Sequence, residues 1–81
     1  MLKIYGSRLC SDCVRCVEEL TAAGVSFEYM DFGEDLLALK TFLTIRDGNP
    51  LFDSVREAGK IGIPCIVKED GEITLSWDEF L

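Results

Sequence analysis

The fold is decided by residues 2–24, which read LKIYGSRLCSDCVRCVEELTAAG. The opening residues alternate apolar and polar side chains and stop at Gly6, which is the pattern of a short strand. A helical pattern begins at Ser11 and ends at Gly24. The apolar positions on one face of this predicted helix are Cys13, Cys16, Val17 and Leu20. The chain therefore opens with a strand, a loop and an amphipathic helix, and a Cys-x-x-Cys pair lies at the helix start.

A second strand and two further helices are predicted next. Residues 25–31 alternate again and read as a strand. A helix with an acidic first turn then extends to Gly48. A short helix capped by Asn49 follows, and Gly59 ends it. The predicted buried face of the longer helix comprises Leu36, Leu39, Phe42 and Leu43.

The last third of the chain predicts a hairpin. Residues 63–67 and 73–75 form its strands around an Asp70-Gly71 turn, and residues 77–81 allow at most one helical turn. A strand–helix–strand opening joins parallel strands by a right-handed crossover. We therefore expect an α/β domain spanning residues 1–81, with a mixed four-stranded sheet flanked by helices and a truncated C-terminal helix.

The composition limits the chemistry that is available. The net charge of −7 disfavours binding to nucleic acids and anionic membranes, and no apolar run reaches the roughly 20 residues that span a bilayer. The absence of histidine removes the usual Ser/His/Asp and Cys/His arrangements. No secretory leader is recognised in residues 1–15, so we expect a cytoplasmic protein whose cysteines are reactive rather than structural disulfides.

The Cys10-Ser11-Asp12-Cys13 segment is the strongest candidate site. At a helix start, Cys10 faces unpaired backbone N–H groups and the positive end of the helix dipole, and both stabilise a thiolate. Cys13 lies one turn deeper, where it can attack a mixed disulfide formed on Cys10. This asymmetry between an exposed nucleophile and a shielded resolving thiol predicts thiol–disulfide exchange.

These residues resemble a known family. A strand, a Cys-x-x-Cys at a helix start and an Ile63-Pro64 pair that opens a strand before a hairpin resemble the thioredoxin fold. The Cys10 to Arg15 run is most similar to glutaredoxins, and residues 59–64 resemble a bacterial glutaredoxin-related subgroup. The resemblance implies a monomeric dithiol–disulfide oxidoreductase in cell redox homeostasis, with a redox-active disulfide and Cys10 and Cys13 as catalytic residues.

The resemblance also implies a substrate site. The peptide before Pro64 would be cis, and the Ile63 backbone would hydrogen-bond an extended substrate near the cysteines. The partner would be a disulfide-containing protein or a low-molecular-weight thiol. The resemblance further implies no tightly bound cofactor and no metal, with glutathione as a candidate co-substrate. The residues that the resemblance assigns to substrate or glutathione binding are Arg8, Ser11, Asp12, Ile63, Pro64, Ser76, Trp77 and Asp78.

The chain departs from the family pattern, which leaves a second interpretation open. Ser11 and Asp12 stand where glutaredoxins place proline and an aromatic residue, and the Asp12 carboxylate opposes a thiolate on Cys10. Trp77 stands where the family has a Gly-Gly pair that holds glutathione. The alternative function is a metal or iron–sulfur cluster carrier that uses the cysteines, including Cys16 and Cys65.

Overall fold

A computed structural model describes all 81 residues of the chain. The strands are β1 (Leu2–Gly6), β2 (Phe27–Asp31), β3 (Cys65–Val67) and β4 (Ile73–Thr74). The α-helices are α1 (Ser11–Ala22), α2 (Leu36–Arg46) and α3 (Asp53–Glu57). Two 3₁₀ turns cover Pro50–Phe52 and Asp78–Phe80. None of the helices combines the length and the apolar character that crossing a membrane requires.

The strands form one open, mixed sheet in the order β2-β1-β3-β4. β1 pairs with β2 in parallel through α1, while β3 is antiparallel to both β1 and β4. The predicted mixed four-stranded α/β architecture is therefore confirmed. The expected truncated C-terminal helix is a single 3₁₀ turn.

The sheet separates two cores because successive side chains of a strand point to opposite faces. On one face Ile4 packs with Cys16 and Leu20 of α1, and all three are fully buried. On the other face Tyr5 packs with Phe42 of α2. α1 and α2 thus cover opposite faces of the sheet. The junction that carries the Cys-x-x-Cys pair is held in place because β1 lies inside the sheet and α1 packs on it.

The predicted buried face of α2 is wrong in part. Leu36 is 66% exposed and Leu43 is 38% exposed, whereas Phe42 is fully buried and Leu39 partly so. The helix begins directly after Asp35, whose carboxylate accepts the Leu37 N–H at 2.9 Å. The pair Ala38 and Phe42, four residues apart, is buried against the sheet in place of Leu36 and Leu43.

Candidate active site

Cys10 is the N-cap residue of α1. Its backbone is extended, with φ −94° and ψ 120°, and its carbonyl already accepts the Val14 N–H of the first turn at 3.1 Å. Its Sγ accepts the backbone N–H of Cys13 at 3.4 Å. A cysteine therefore occupies the position where serine, threonine or aspartate usually caps a helix, and its sulfur satisfies a free N–H donor.

Cys10 opens into a cleft of about 570 Å³. The opposite wall is the loop of residues 59–64, in which the Ile63–Pro64 peptide bond is cis, as the resemblance implied. Cys10 is partly exposed and Pro64 is buried. The full lining is Cys10, Asp12, Val55, Gly59, Lys60, Ile61, Gly62, Ile63, Pro64 and Leu75. The predicted proximity of Cys10 and Pro64 is thus present, in a mainly apolar cleft with one carboxylate and one ammonium group.

The loop of residues 59–64 packs closely on neighbouring elements because residue 62 is a glycine. Gly62 has φ +97°, a backbone conformation that side chains rarely adopt. A Cβ added there would lie 2.8 Å from the Phe52 ring and 3.3 Å from Val55. The loop therefore packs closely on the 3₁₀ turn and α3, and this packing positions Ile63 and Pro64 opposite Cys10.

Cys13 is fully buried beneath Cys10. A Cβ added to Gly6 at the end of β1 would lie 2.7 Å from Cys13 Sγ and 3.0 Å from the hydroxyl oxygen of Tyr29 on β2. The sulfur is thus enclosed by the end of β1 and the neighbouring parallel strand. Burial raises the pKa of Cys13 from 9.0 to about 12, although the Ser7 backbone N–H and the Tyr29 hydroxyl act in the opposite direction.

The other two cysteines belong to the cores. Cys16 packs with Ile4 and Leu20, and burial raises its pKa to about 11. Cys65 packs beside Tyr5 on the opposite face, and burial raises its pKa to about 12. All four cysteines are free, and nowhere in the chain do three or more Cys, Asp or Glu side chains group as metal ligands.

The predicted binding residues separate into two groups. Asp12, Ile63 and Pro64 line the cleft with Cys10, whereas Ser11 is exposed in the first turn of α1 outside the lining. Arg8 does not reach the cleft. Its guanidinium pairs with Glu34 at 2.7 Å, and the residue lines a second cavity.

The predicted C-terminal binding residues also lie outside the cleft lining. The Trp77 indole N–H donates to Glu19 of α1 at 3.2 Å, and the Arg15 guanidinium lies 5.6 Å from the ring centre. Ser76 and Asp78 are exposed. Trp77 packs against the α1 core because the last turn folds back over that helix. The C-terminal segment contributes to this cleft only through Leu75.

Several site residues are absent from the sequence prediction. Val55, Ile61 and Leu75 supply apolar walls, and Ile61 is 54% exposed. Tyr29 borders the Cys13 sulfur from β2. The parallel pairing of Ile4 with Tyr29 brings this phenol to the cysteine pair, and only the register of the two strands reveals that contact.

Comparisons with known proteins identify one relative and no family. The chain is 29% identical over 72 residues to a Haemophilus influenzae protein described as an uncharacterized protein. The similarity covers 89% of this chain and 84% of that relative. No protein-family model and no solved structure matches the chain.

Proposed function

We propose that the protein is a glutaredoxin-like thiol–disulfide oxidoreductase with a thioredoxin-like fold, acting in the cytoplasm. The observation that carries this proposal is the asymmetry of its cysteine pair. The Cys10 sulfur meets a cleft and accepts an N–H at a helix start, while the Cys13 sulfur is buried one turn below. An accessible thiol beside a shielded one is the arrangement that exchange chemistry needs.

The reaction has two exchange steps. The Cys10 thiolate attacks one sulfur of a substrate disulfide, the substrate S–S bond breaks, and the departing thiolate takes up a proton. Cys13 then loses its proton and attacks the Cys10 sulfur, which releases the second substrate thiol. The substrate disulfide is reduced by two electrons, and the protein is left with a Cys10–Cys13 disulfide. Glutathione, another thiol or a reductase returns the two electrons.

The cleft supports this proposal through the shape that it offers to a substrate. Residues 61–63 line it beside apolar side chains, and their backbone groups make no backbone–backbone hydrogen bond within the chain, so an extended substrate can pair with them. Asp12 and Lys60 are the charged residues of the lining and stand beside a partly exposed Cys10. The sheet order, with β1 parallel to β2 and antiparallel to β3, is consistent with the proposed fold.

Trapping the intermediate tests the proposal. Cys13→Ser removes the resolving sulfur, so reaction with glutathione disulfide or a disulfide-bonded peptide should leave one adduct per chain, mapped to Cys10 by mass spectrometry. The wild-type chain should release the adduct and form an internal disulfide. When both disulfides are supplied together, the mass of the adduct shows which of them reacts faster with Cys10.

Two matched variants complete the test. Cys10→Ser should acquire no adduct, because the remaining thiols are buried and protonated at neutral pH. Cys16→Ser leaves both proposed catalytic residues in place and should turn over like the wild type. Adducts on Cys16 or Cys65, or none in Cys13→Ser, contradict the proposal. Stoichiometric metal in anaerobically purified protein, with Cys10 resistant to alkylation, would favour the cluster-carrier alternative.

A further inference from the structure

The resolving cysteine has a cavity of its own. A pocket of about 410 Å³ is lined by Arg8, Cys13, Val14, Val17, Glu18 and Tyr29. It shares no lining residue with the cleft at Cys10. A substrate bound in that cleft therefore leaves this second cavity free, and the cavity adjoins the buried Cys13 side chain while Cys10 carries the substrate.

The Tyr29 hydroxyl is an uncharged hydrogen-bond donor in the lining of this cavity. A single Cβ position at Gly6 would contact both its hydroxyl oxygen, at 3.0 Å, and Cys13 Sγ, at 2.7 Å, so the two groups lie against the same point of β1. Burial raises the pKa of Tyr29, and the nearby Cys13 and Asp31 raise it further. The phenol therefore stays protonated at neutral pH and is able to donate a hydrogen bond.

We propose that the Tyr29 hydroxyl is a catalytic hydrogen-bond donor that stabilises the Cys13 thiolate during resolution of the mixed disulfide. This inference rests on the proposed oxidoreductase function. Cys13 loses its proton to solvent through the second cavity, and its electron pair forms the bond to the Cys10 sulfur as the bond from Cys10 to the substrate sulfur breaks. The released substrate thiolate takes up a proton. Tyr29 keeps its own proton throughout and is neither oxidised nor reduced.

The reacting sulfur needs such a donor because the Cys13 side chain is fully buried. A buried thiolate without hydrogen-bond partners is strongly disfavoured, and a charge-assisted hydrogen bond offsets part of that cost. The Ser7 backbone N–H acts in the same direction as the phenol. The charged groups near the pair are Arg8, Glu18 and Asp31, together with any thiolate on Cys10. Once substrate is bound to Cys10, the repulsion from a Cys10 thiolate is removed.

Tyr29→Phe is the sharpest variant because it keeps the ring and deletes only the donor. We expect resolution to slow by about tenfold, which corresponds to about 1.4 kcal/mol. The Cys10 adduct should then accumulate transiently after mixing with a disulfide substrate, as followed by acid quench and mass spectrometry. The resolution rate should recover to the wild-type value only at higher pH, a shift that a loss of packing would not produce.

Tyr5→Phe is the matched control. Tyr5 is the other tyrosine of the chain and packs with Cys65 on the opposite face of the sheet, so deleting its hydroxyl should leave resolution unchanged. This variant also makes Tyr29 the single tyrosine. Incorporating 3-fluorotyrosine into it strengthens the Tyr29 donor without changing its packing, and resolution should then be faster than in the unlabelled control.

The outcomes separate this inference from the proposed function. Wild-type resolution rates in both Tyr29→Phe and the fluorotyrosine protein would overturn the role of Tyr29, even when Cys13→Ser still traps its adduct. If Tyr29→Phe proves unstable, the fluorotyrosine protein decides the question alone. Failure of Cys13→Ser to trap any adduct on Cys10 refutes the oxidoreductase function itself, and with it this inference.

Discussion

The sulfur of Cys10 accepts the backbone N–H of Cys13, 3.4 Å away, so the two cysteines of the pair are linked through the helix start. The accepting sulfur borders a cleft, while the side chain of the residue that donates the N–H is fully buried. The two cysteine side chains, three residues apart in sequence, therefore lie in different environments: one borders a cleft and the other is buried.

The different environments should make alkylation selective. At neutral pH, iodoacetamide should modify Cys10 of the folded, reduced protein, while Cys13, Cys16 and Cys65 should react only after denaturation, because burial keeps them protonated. Asp12→Asn should speed modification of Cys10 by about two- to tenfold, since it removes a negative charge from the same cleft.

Mass spectrometry of the intact protein and of its peptides, after a timed exposure to iodoacetamide, measures which cysteines are modified. Asp53→Asn provides the control, because that carboxylate pairs with Arg56 on α3 and is not part of the cleft lining. Equal acceleration by both substitutions would show that general charge, rather than Asp12, governs Cys10.

Gly6→Ala should disturb the resolving cysteine directly. The added methyl would lie 2.7 Å from Cys13 Sγ, and both the sulfur and the Tyr29 hydroxyl would have to move. We expect a loss of about 1–3 kcal/mol in the free energy of unfolding. Urea denaturation under reducing conditions measures it, with Gly33→Ala as a control whose nearest contact is an ordinary 3.4 Å. Equal stability of the two variants would contradict the close packing of Cys13 on β1.

Gly62→Ala tests the loop that faces Cys10. The substitution combines a φ of +97° with a Cβ only 2.8 Å from the Phe52 ring, so we expect a loss of about 2–4 kcal/mol. Gly59→Ala shares the positive φ but meets open space, and should cost about 1 kcal/mol. Thermal unfolding measures the stability of both variants, and the difference between them is the steric cost of the Cβ at position 62. An equal loss of stability in both would argue against the packing of the loop on Phe52.

The buried thiols should make the protein sensitive to alkali. Their pKa values lie at about 12, 11 and 12 in the folded chain for Cys13, Cys16 and Cys65, raised by burial from 9.0. Below about pH 9 both states hold these protons, so stability does not depend on them. Above it the unfolded chain ionises first, and the free energy of unfolding should fall by up to about 1.4 kcal/mol per thiol per pH unit.

Urea midpoints at about pH 8 and about pH 10 check this slope. Cys16→Ala removes one contributor and should flatten the decline, whatever its effect on stability at neutral pH. A decline of the same steepness in the wild type and in Cys16→Ala would show that this thiol is not the cause.

Trp77 is expected to be structural rather than part of the substrate site. Trp77→Phe loses the hydrogen bond to Glu19 and the contact with Arg15, so the free energy of unfolding should fall by about 1–2 kcal/mol. The rate of adduct formation with glutathione disulfide should remain that of the wild type. A rate reduced tenfold without loss of structure would return Trp77 to the binding site.

The sequence predicted the elements well because their signals are local. The alternation of residues 2–5, the cap at Asn49 and the turn at Asp70-Gly71 each act within a few residues, and each lies where it was expected. The position of Cys10 at the helix start was likewise readable from neighbouring residues.

Contacts set by the packing of elements were not readable from the sequence. The spacing of Leu36 marks it as a core residue, but the packing of α2 buries Ala38 and Phe42 and leaves Leu36 exposed. Arg8 and Trp77 were assigned to ligand binding by position, but Glu34 and Glu19, distant in sequence, engage them. Tyr29 reaches Cys13 only because β2 pairs in one particular register with β1.

The burial of three free cysteines has a consequence for handling the protein. Folding protects these sulfurs from air and from each other, while unfolding releases them together into one flexible chain. Heating without a reductant should therefore produce scrambled and intermolecular disulfides. Recovery of the reduced protein on cooling should depend on dithiothreitol, which keeps the released thiols reduced.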